Sequence, residues 1–446
     1  MSPQYRYAHH ALKLSRIALR RWRRRTLFLI GGLLVGAAAT GMALLANVVQ
    51  AQWLHFLTLE RYAALAVTPL GFGLALFLAR RFFPNSQGSG IPQVIAARTL
   101  PDGEARLALV SLKVAAGKIL VMMLGLLCGA SIGREGPTVQ VGAALMFAAG
   151  RRALDYQRGL LLAGAAAGIA AAFNTPLAGI VFGIEELSRS FESRTSGLVL
   201  ASIIAAGLTS LGLQGDYTYF GTTSQILPFG INWIVIPICA VIGGLAGGLF
   251  SRLLILFTRG LPGRVGQWIT RNPIIFAMLC GLGVALCGVA SGDTVYGTGY
   301  AQARAVVHGT APISEFFGPL KFLATVFSSI SGIPGGLFAP SLSVGAGMAA
   351  ELHRFFQSVP LGALALIGMV SYLAGVVQTP ITSFVIVSEM TENHGLIIPL
   401  MLAALIADAT SKMVCRGSVY HSLAEIAIER AGGGASHKEA PVEANE

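Results

Sequence analysis

The hydrophobic positions of this chain fall into long, nearly unbroken stretches. Apolar runs cover residues 27–49, 63–79, 107–132, 159–184, 196–213, 231–257, 273–291, 361–377 and 396–410. Several approach the roughly 20 residues that span a bilayer, and others are shorter or broken by Gly and Pro. The pattern predicts a protein made of membrane-spanning and interrupted helices. A polar, aromatic stretch at about 214–230 reads as a loop between two groups of runs. The last residues, from about Ala431, are rich in Gly, Ala and Glu and read as a disordered tail.

Composition agrees with the pattern. The chain is 54% hydrophobic and 12% charged, whereas soluble domains carry about 25% charged residues. Mean hydropathy is +0.68. The 55 glycines suit close helix packing and broken helices in lipid. The net charge of +12 is no sign of nucleic-acid binding. Much of it lies in Arg6, Lys13, Arg16, Arg20, Arg21, Arg23, Arg24 and Arg25, directly before the first run. By the positive-inside rule the N-terminus is expected in the cytoplasm. A cleaved signal peptide fits poorly, because Leu27 to Val49 is too long for its apolar core. Five scattered cysteines without a CxxC read as packing residues, and eight histidines without HExxH spacing give no metal site. No cofactor is expected.

The chain repeats itself. Pro137-Thr138-Val139-Gln140-Val141-Gly142-Ala143 resembles Pro340-Ser341-Leu342-Ser343-Val344-Gly345-Ala346, an offset of 203 from 137 to 340. Thr175-Pro176-Leu177 through Glu185 resembles Thr379-Pro380-Ile381 through Glu389, an offset of 204 from 175 to 379. Repeated halves are a transporter pattern, with the site at their interface. The residues alone leave open whether the halves are inverted or parallel.

Candidate chemistry begins at Glu135, in Gly133-Arg134-Glu135-Gly136-Pro137 after the apolar stretch Ile119 to Ile132. A carboxylate at membrane depth costs about 2.5–3.5 kcal/mol even on the lenient insertion scale. Gly88-Ser89-Gly90-Ile91-Pro92 and Gly336-Leu337-Phe338-Ala339-Pro340 share its Gly-x-x-x-Pro spacing. With 19 Pro and 55 Gly in 446 residues, chance supplies about two such matches. A fourth, Gly395 to Pro399, carries no function here. Weight therefore rests on content. Pro favours the first helical position, and helix N-termini present free N–H groups that bind anions.

These segments resemble the signatures of the CLC family of chloride channels and chloride/proton antiporters. Gly88 to Pro92, Gly133 to Pro137 and Gly336 to Pro340 look like its first, second and third signatures. The likeness extends through Gly164-Ala165-Ala166-Ala167-Gly168, through Ala172 to Gly179, to Glu185-Glu186 and Glu389-Met390-Thr391-Glu392-Asn393, covering about residues 30–425. It implies an all-α integral membrane protein of two inverted-topology repeats, with mostly tilted and broken helices. It also implies a homodimer with one pathway per subunit. Expected boundaries are a basic cytoplasmic segment 1–26, a transmembrane domain 27–425 with repeats at about 27–213 and 231–415, and a tail 426–446.

The resemblance assigns roles residue by residue. Ser89 and Tyr420 match the hydroxyl ligands of a central chloride, and Leu337 and Phe338 match positions whose amides face the ion. Gly90, Ile91 and Gly136 fall in the anion-facing loops. Glu135 matches the gating glutamate, and Glu186 matches the inner proton-transfer glutamate. Physically, chloride and the Glu135 carboxylate would compete for the same amides, coupling anion and proton movement. The physics does not separate Glu185 from Glu186; only the family pattern prefers Glu186. Either acid could simply mark a helix exit to water. Ser89 could bond the preceding helix turn, and Tyr420 could be a core tyrosine. Lys118 reads as balancing a buried acid. Arg134 stays open between anion approach and pairing with a carboxylate. Gln93 and Leu337 depart from many relatives at positions of little consequence.

The expected function is chloride/proton exchange, with a voltage- or pH-gated passive chloride channel as the alternative. An intramembrane enzyme is the remote alternative, and no Gly-x-Ser-x-Gly or HExxH supports it. Expected partners are chloride ions, protons, the lipid bilayer and a second copy of the chain, with no nucleic acid. The absence of C-terminal regulatory domains suggests a bacterial-type member in the inner membrane.

Overall fold

The computed structural model describes residues 3–100, 103–151, 156–188, 196–215, 218–310 and 315–430. The first half comprises α1 (Pro3–Leu59), α2 (Ala64–Arg81), α3 (Ile91–Thr99), α4 (Gly103–Val110), α5 (Leu112–Leu127), α6 (Glu135–Ala149), α7 (Gln157–Phe173), α8 (Pro176–Phe182) and α9 (Ser196–Gln214). The second comprises α10 (Val235–Arg259), α11 (Gly263–Arg271), α12 (Pro273–Ser291), α13 (Tyr300–Val307), α14 (Phe317–Ile330), α15 (Phe338–Leu352), α16 (Leu361–Val377), α17 (Pro380–Thr391) and α18 (Ile397–Val414). A final helix, α19 (Val419–Arg430), follows both. Among the described residues, seven helical segments are long and apolar enough to cross a membrane. The basic segment before residue 27 continues into the first apolar run as the single helix α1. Of the tail expected from 426, residues 431–446 lie outside the described residues.

Two predicted runs are broken, each for a local reason. The run 159–184 stops at Asn174, left-handed at φ 56°, and Pro176 then starts α8. Asn tolerates that conformation, and Pro lacks the N–H that a continuing helix would need. The run 107–132 breaks at Ser111, whose hydroxyl accepts from the Val114 N–H at 3.3 Å and so caps α5. Helices α7 and α16, at the centre of the fold, are buried on nearly every side. They are apolar all round because protein, not lipid, surrounds them.

Packing obeys the repeat. Helix α6 packs on α7 as α15 does on α16, and α1 packs on α9 as α10 does on α18. Equivalent helices also pack on each other: α2 on α12, α6 on α15, and α8 on α17. At the centre, Gly133 and its equivalent Gly336 exchange reciprocal backbone bonds. Gly133 N donates to Gly336 O at 2.8 Å, and Gly336 N to Gly133 O at 2.7 Å. At α8 and α17 the exchange is between carboxylates and helix starts. Glu185 accepts from the N–H groups of Ile381 (3.1 Å) and Thr382 (2.6 Å). Glu389 accepts from those of Leu177 (3.0 Å) and Ala178 (2.7 Å). Each helix thus offers its C-terminal acid to the other's N-terminus, so α8 and α17 run antiparallel. Equivalent helices that oppose each other in direction make the two halves inverted, which resolves what the residues left open.

Candidate functional site

The three signature loops are stitched into one crossing. Beyond the Gly133–Gly336 pair, Gly88 N donates to Ile333 O at 3.3 Å and Gly335 N to Gly88 O at 3.1 Å. Lys118, buried in α5, donates from Nζ to Gln87 O (3.2 Å) and Gly88 O (2.8 Å). Its equivalent Lys321 donates to Val295 O (2.8 Å) and Gly297 O (2.7 Å). Lys118 therefore fastens the Ser89 loop through carbonyls. That corrects the expectation that it balances an acid, since among the described residues it forms no ion pair. Loop carbonyls at membrane depth need donors, and Lys118 Nζ adds one to each of two carbonyls that also accept from Gln93 Nε2 (2.7 Å, Gln87 O) and Gly335 N (3.1 Å, Gly88 O).

Helix starts converge on this crossing. Gly90 caps α3, ahead of Ile91 and Pro92. Helix α6 begins at Glu135, with Gly136 and Pro137 in its first turn, and α15 begins at Phe338 after the cap Leu337. First-turn N–H groups have no intrahelical partner. Ser89 lies against Gly136, where a side chain would meet Ser89 Oγ and its carbonyl. The Tyr420 hydroxyl, from α19, lies beside the Ser89 side chain. Both hydroxyls are buried without a hydrogen-bond partner. The structure thus brings Ser89, Gly90, Ile91, Glu135, Gly136, Leu337, Phe338 and Tyr420 to one place, although they span most of the chain.

Glu135 is fully buried. Its carboxyl faces the backbone N–H groups of Arg134, Glu135 and Ala339. Oε1 makes a long 3.5 Å contact with the Tyr219 hydroxyl, and Oε2 has no hydrogen-bond partner. A Cβ on Gly133 would overlap Oε2, so glycine there makes room for the acid. Arg134 Nη1 donates to Ala43 O (2.7 Å) and Asn47 Oδ1 (2.9 Å), and its guanidinium lies over the Tyr219 ring. It anchors α6 to α1 and supplies positive charge near Glu135.

Aromatic rings line the site. Phe338 stacks on Tyr420 with centroids 6.1 Å apart and meets Phe182 and Phe173 edge-on. Phe173 in turn meets Tyr219. Tyr219 was not singled out in the sequence. It belongs to the inter-half loop, held by Phe220 N to Met390 O and by Asn393 Nδ2 to Thr223 O and Gln225 O. The segment Glu389 to Asn393 is thus a clamp: one end caps α8 and the other fixes the loop.

Glu186 sits in a π-helical turn, Gly183–Ser188, that continues α8. Its side chain is 1% exposed, and Oε1 lies 3.1 Å from His421 Nδ1. Tyr420 lies near both Glu135 and Glu186. The adjacent acids are therefore separated by geometry: Glu185 is spent on the start of α17, while Glu186 faces inward. A signal was available in the repeat. Glu185 aligns with an acid, Glu389, but Glu186 aligns with Met390 and Glu135 with Phe338. Of the acids Glu135, Glu185 and Glu186, the two without a repeated counterpart are the two near Tyr420.

Fold and site define an all-α, multi-pass membrane transporter of two inverted repeats. The family model described as "Voltage gated chloride channel" matches residues 71–412, and the chain belongs to that family. It is 32% identical over 401 residues to the H(+)/Cl(-) exchange transporter ClcA of Cronobacter sakazakii, covering 85% of this chain and 82% of that one. Its fold is similar to a slow cyanobacterial Cl-/H+ antiporter, with TM-score 0.77 and 25% identity over 92% of this chain and 98% of that one. A CLC-type fluoride/proton antiporter shares the fold at TM-score 0.74 and 23% identity, over 89% of this chain and 97% of that one.

Proposed function

We propose that this protein exchanges chloride for protons across a bacterial inner membrane. It works as a homodimer with one pathway per subunit, its N-terminus in the cytoplasm and lipid around it. One observation carries the reading. Ser89 Oγ, Tyr420 Oη and Glu135 Oε2 come from three distant segments, yet all are buried together without partners. Buried polar atoms are normally satisfied. Two hydroxyl donors and converging helix N-termini suit a chloride ion, which replaces part of its hydration shell there.

The chemistry follows from competition. The charged Glu135 carboxylate and chloride seek the same amides of Arg134, Glu135 and Ala339. Protonation removes the charge, so the acid loses that contest and yields to the anion. Phe338 and Tyr420 close the other side of the site and keep water out. Glu186 delivers protons to Glu135 from its side of Tyr420. One ion therefore moves as the other is exchanged. The named exchange transporters among the relatives support this reading over a passive channel, and nothing in it requires chemical conversion.

The test is purified protein in liposomes with chloride and proton fluxes recorded together. A chloride gradient is expected to drive protons uphill. Glu135→Gln is expected to abolish proton movement and keep anion movement. Chloride flux without any uphill proton flux in the wild type would overturn exchange.

A further inference from the structure

We propose that His421 is the outer proton relay of Glu186, carrying protons between bulk water and that buried carboxylate. The proposal rests on the exchange reading above. Glu186 is 1% exposed, so water does not reach it freely, whereas the His421 side chain touching it is 23% exposed. His421 Nδ1 sits 3.1 Å from Glu186 Oε1. Nε2 makes no hydrogen bond among the described residues and is not among their buried, unsatisfied atoms, so it opens outward.

The placement follows from α19. Successive helical residues are turned by about 100°, so Tyr420 can face the ion site while His421 faces Glu186. The outer surface here is aqueous rather than lipidic. Glu425, one turn beyond His421 on the same helix face, is exposed, as are Glu429 and Arg430. Three charged residues in two turns would not be left against hydrocarbon.

Imidazole suits the task because one nitrogen can accept a proton while the other gives one up. With both nitrogens protonated, the Nδ1–H proton passes to Glu186 Oε1. A cation and an anion become a neutral imidazole and a neutral acid, so no net charge is left buried. A turn of the ring about Cβ–Cγ presents the bare nitrogen to water, where it takes the next proton. Glu186 meanwhile passes its own proton toward Glu135.

The experiment compares wild type, His421→Asn and His421→Ala in liposomes, recording chloride and proton fluxes together. Asn can replace the hydrogen bond to Glu186 but cannot carry a proton. Both variants are expected to lose proton flux by about tenfold or more, with chloride flux persisting as the sign of a folded protein. Added imidazole is expected to restore proton flux to His421→Ala but not to a Glu186→Gln control. Wild-type coupling in His421→Asn would overturn the relay and leave His421 a packing residue. Loss in His421→Ala that imidazole cannot rescue would overturn it equally. A wild type that moves chloride but no protons is a different failure: it overturns exchange itself, and the relay with it.

Discussion

Replacing Glu185 with alanine removes the acceptor of two N–H groups at the start of α17, those of Ile381 and Thr382. Hydrogen bonds to a charged group contribute about 1.5–3 kcal/mol each. The Ile381 bond is exposed and the Thr382 bond part-buried, which argues for the low end, about 1.5 kcal/mol each and about 3 kcal/mol together. At roughly 2 °C per kcal/mol for a chain of this size, the Tm should fall by about 6 °C. Glu185→Gln keeps one oxygen acceptor and should cost about half as much. The repeat makes a further demand: Glu389→Ala removes the mirror-image pair at Leu177 and Ala178 and should cost about the same. Thermal unfolding in detergent, followed by tryptophan fluorescence, reads all three. Proton and chloride fluxes of Glu185→Gln in liposomes should keep the wild-type ratio. An unchanged Tm in Glu185→Ala would refute the clasp. Loss of proton flux alone in Glu185→Gln would make Glu185, not Glu186, the inner proton carrier.

Ser89→Ala and Tyr420→Phe each remove one hydroxyl donor and should raise the chloride Kd about 10- to 100-fold by calorimetry; wild-type affinity in both would remove these hydroxyls from the site. Lys118→Met removes one of two donors from each of the Gln87 and Gly88 carbonyls, which keep Gln93 Nε2 (2.7 Å) and Gly335 N (3.1 Å). It should destabilise the protein by about 1–2 kcal/mol in thermal unfolding, and Lys321→Met, whose Val295 and Gly297 carbonyls accept from no other donor among the described residues, by about 2–4 kcal/mol; full stability in Lys321→Met would mean that water serves those carbonyls. Gly133→Ala places a methyl where Glu135 Oε2 lies. The displaced acid should lower the proton-to-chloride ratio while chloride flux continues, and an unchanged ratio would show that the carboxyl has other room.

Much of this was written in the sequence because the repeat is. The offset of 203 that links Pro137 to Pro340 also links Gly133 to Gly336 and Lys118 to Lys321. What stayed hidden depended on long-range geometry. Glu185 and Glu186 are neighbours in apolar surroundings, and only the π turn and the distant α17 tell them apart. Tyr219 lay in a stretch whose polarity marks a loop, and nothing local says that Asn393 and Met390 fold it over Glu135. Helices α6, α14 and α15, of 14–15 residues, fell below the length by which spanning runs are recognised. The second-half counterpart of the Ser89 loop, Gly297-Thr298-Gly299, was masked by a shifted offset, 209 from 88 to 297, and by Tyr300-Ala301 where the first half has Ile91-Pro92. There the Gln50 side-chain oxygen faces the Thr298 N–H and hydroxyl at 3.4–3.5 Å. The repeated loop thus holds a protein oxygen where the first half leaves hydroxyls unpartnered.

The bonds exchanged between equivalent glycines and between equivalent carboxylates and helix starts bear on how access can alternate. Rocking one half past the other would shear the Gly133–Gly336 pair at the centre and both carboxylate clasps at once. Breaking them together costs on the order of 10 kcal/mol in each cycle. The seam is a weld rather than a hinge. A chain so joined is expected to move single side chains rather than whole halves, and a covalent tether laid across the seam is expected to leave turnover running.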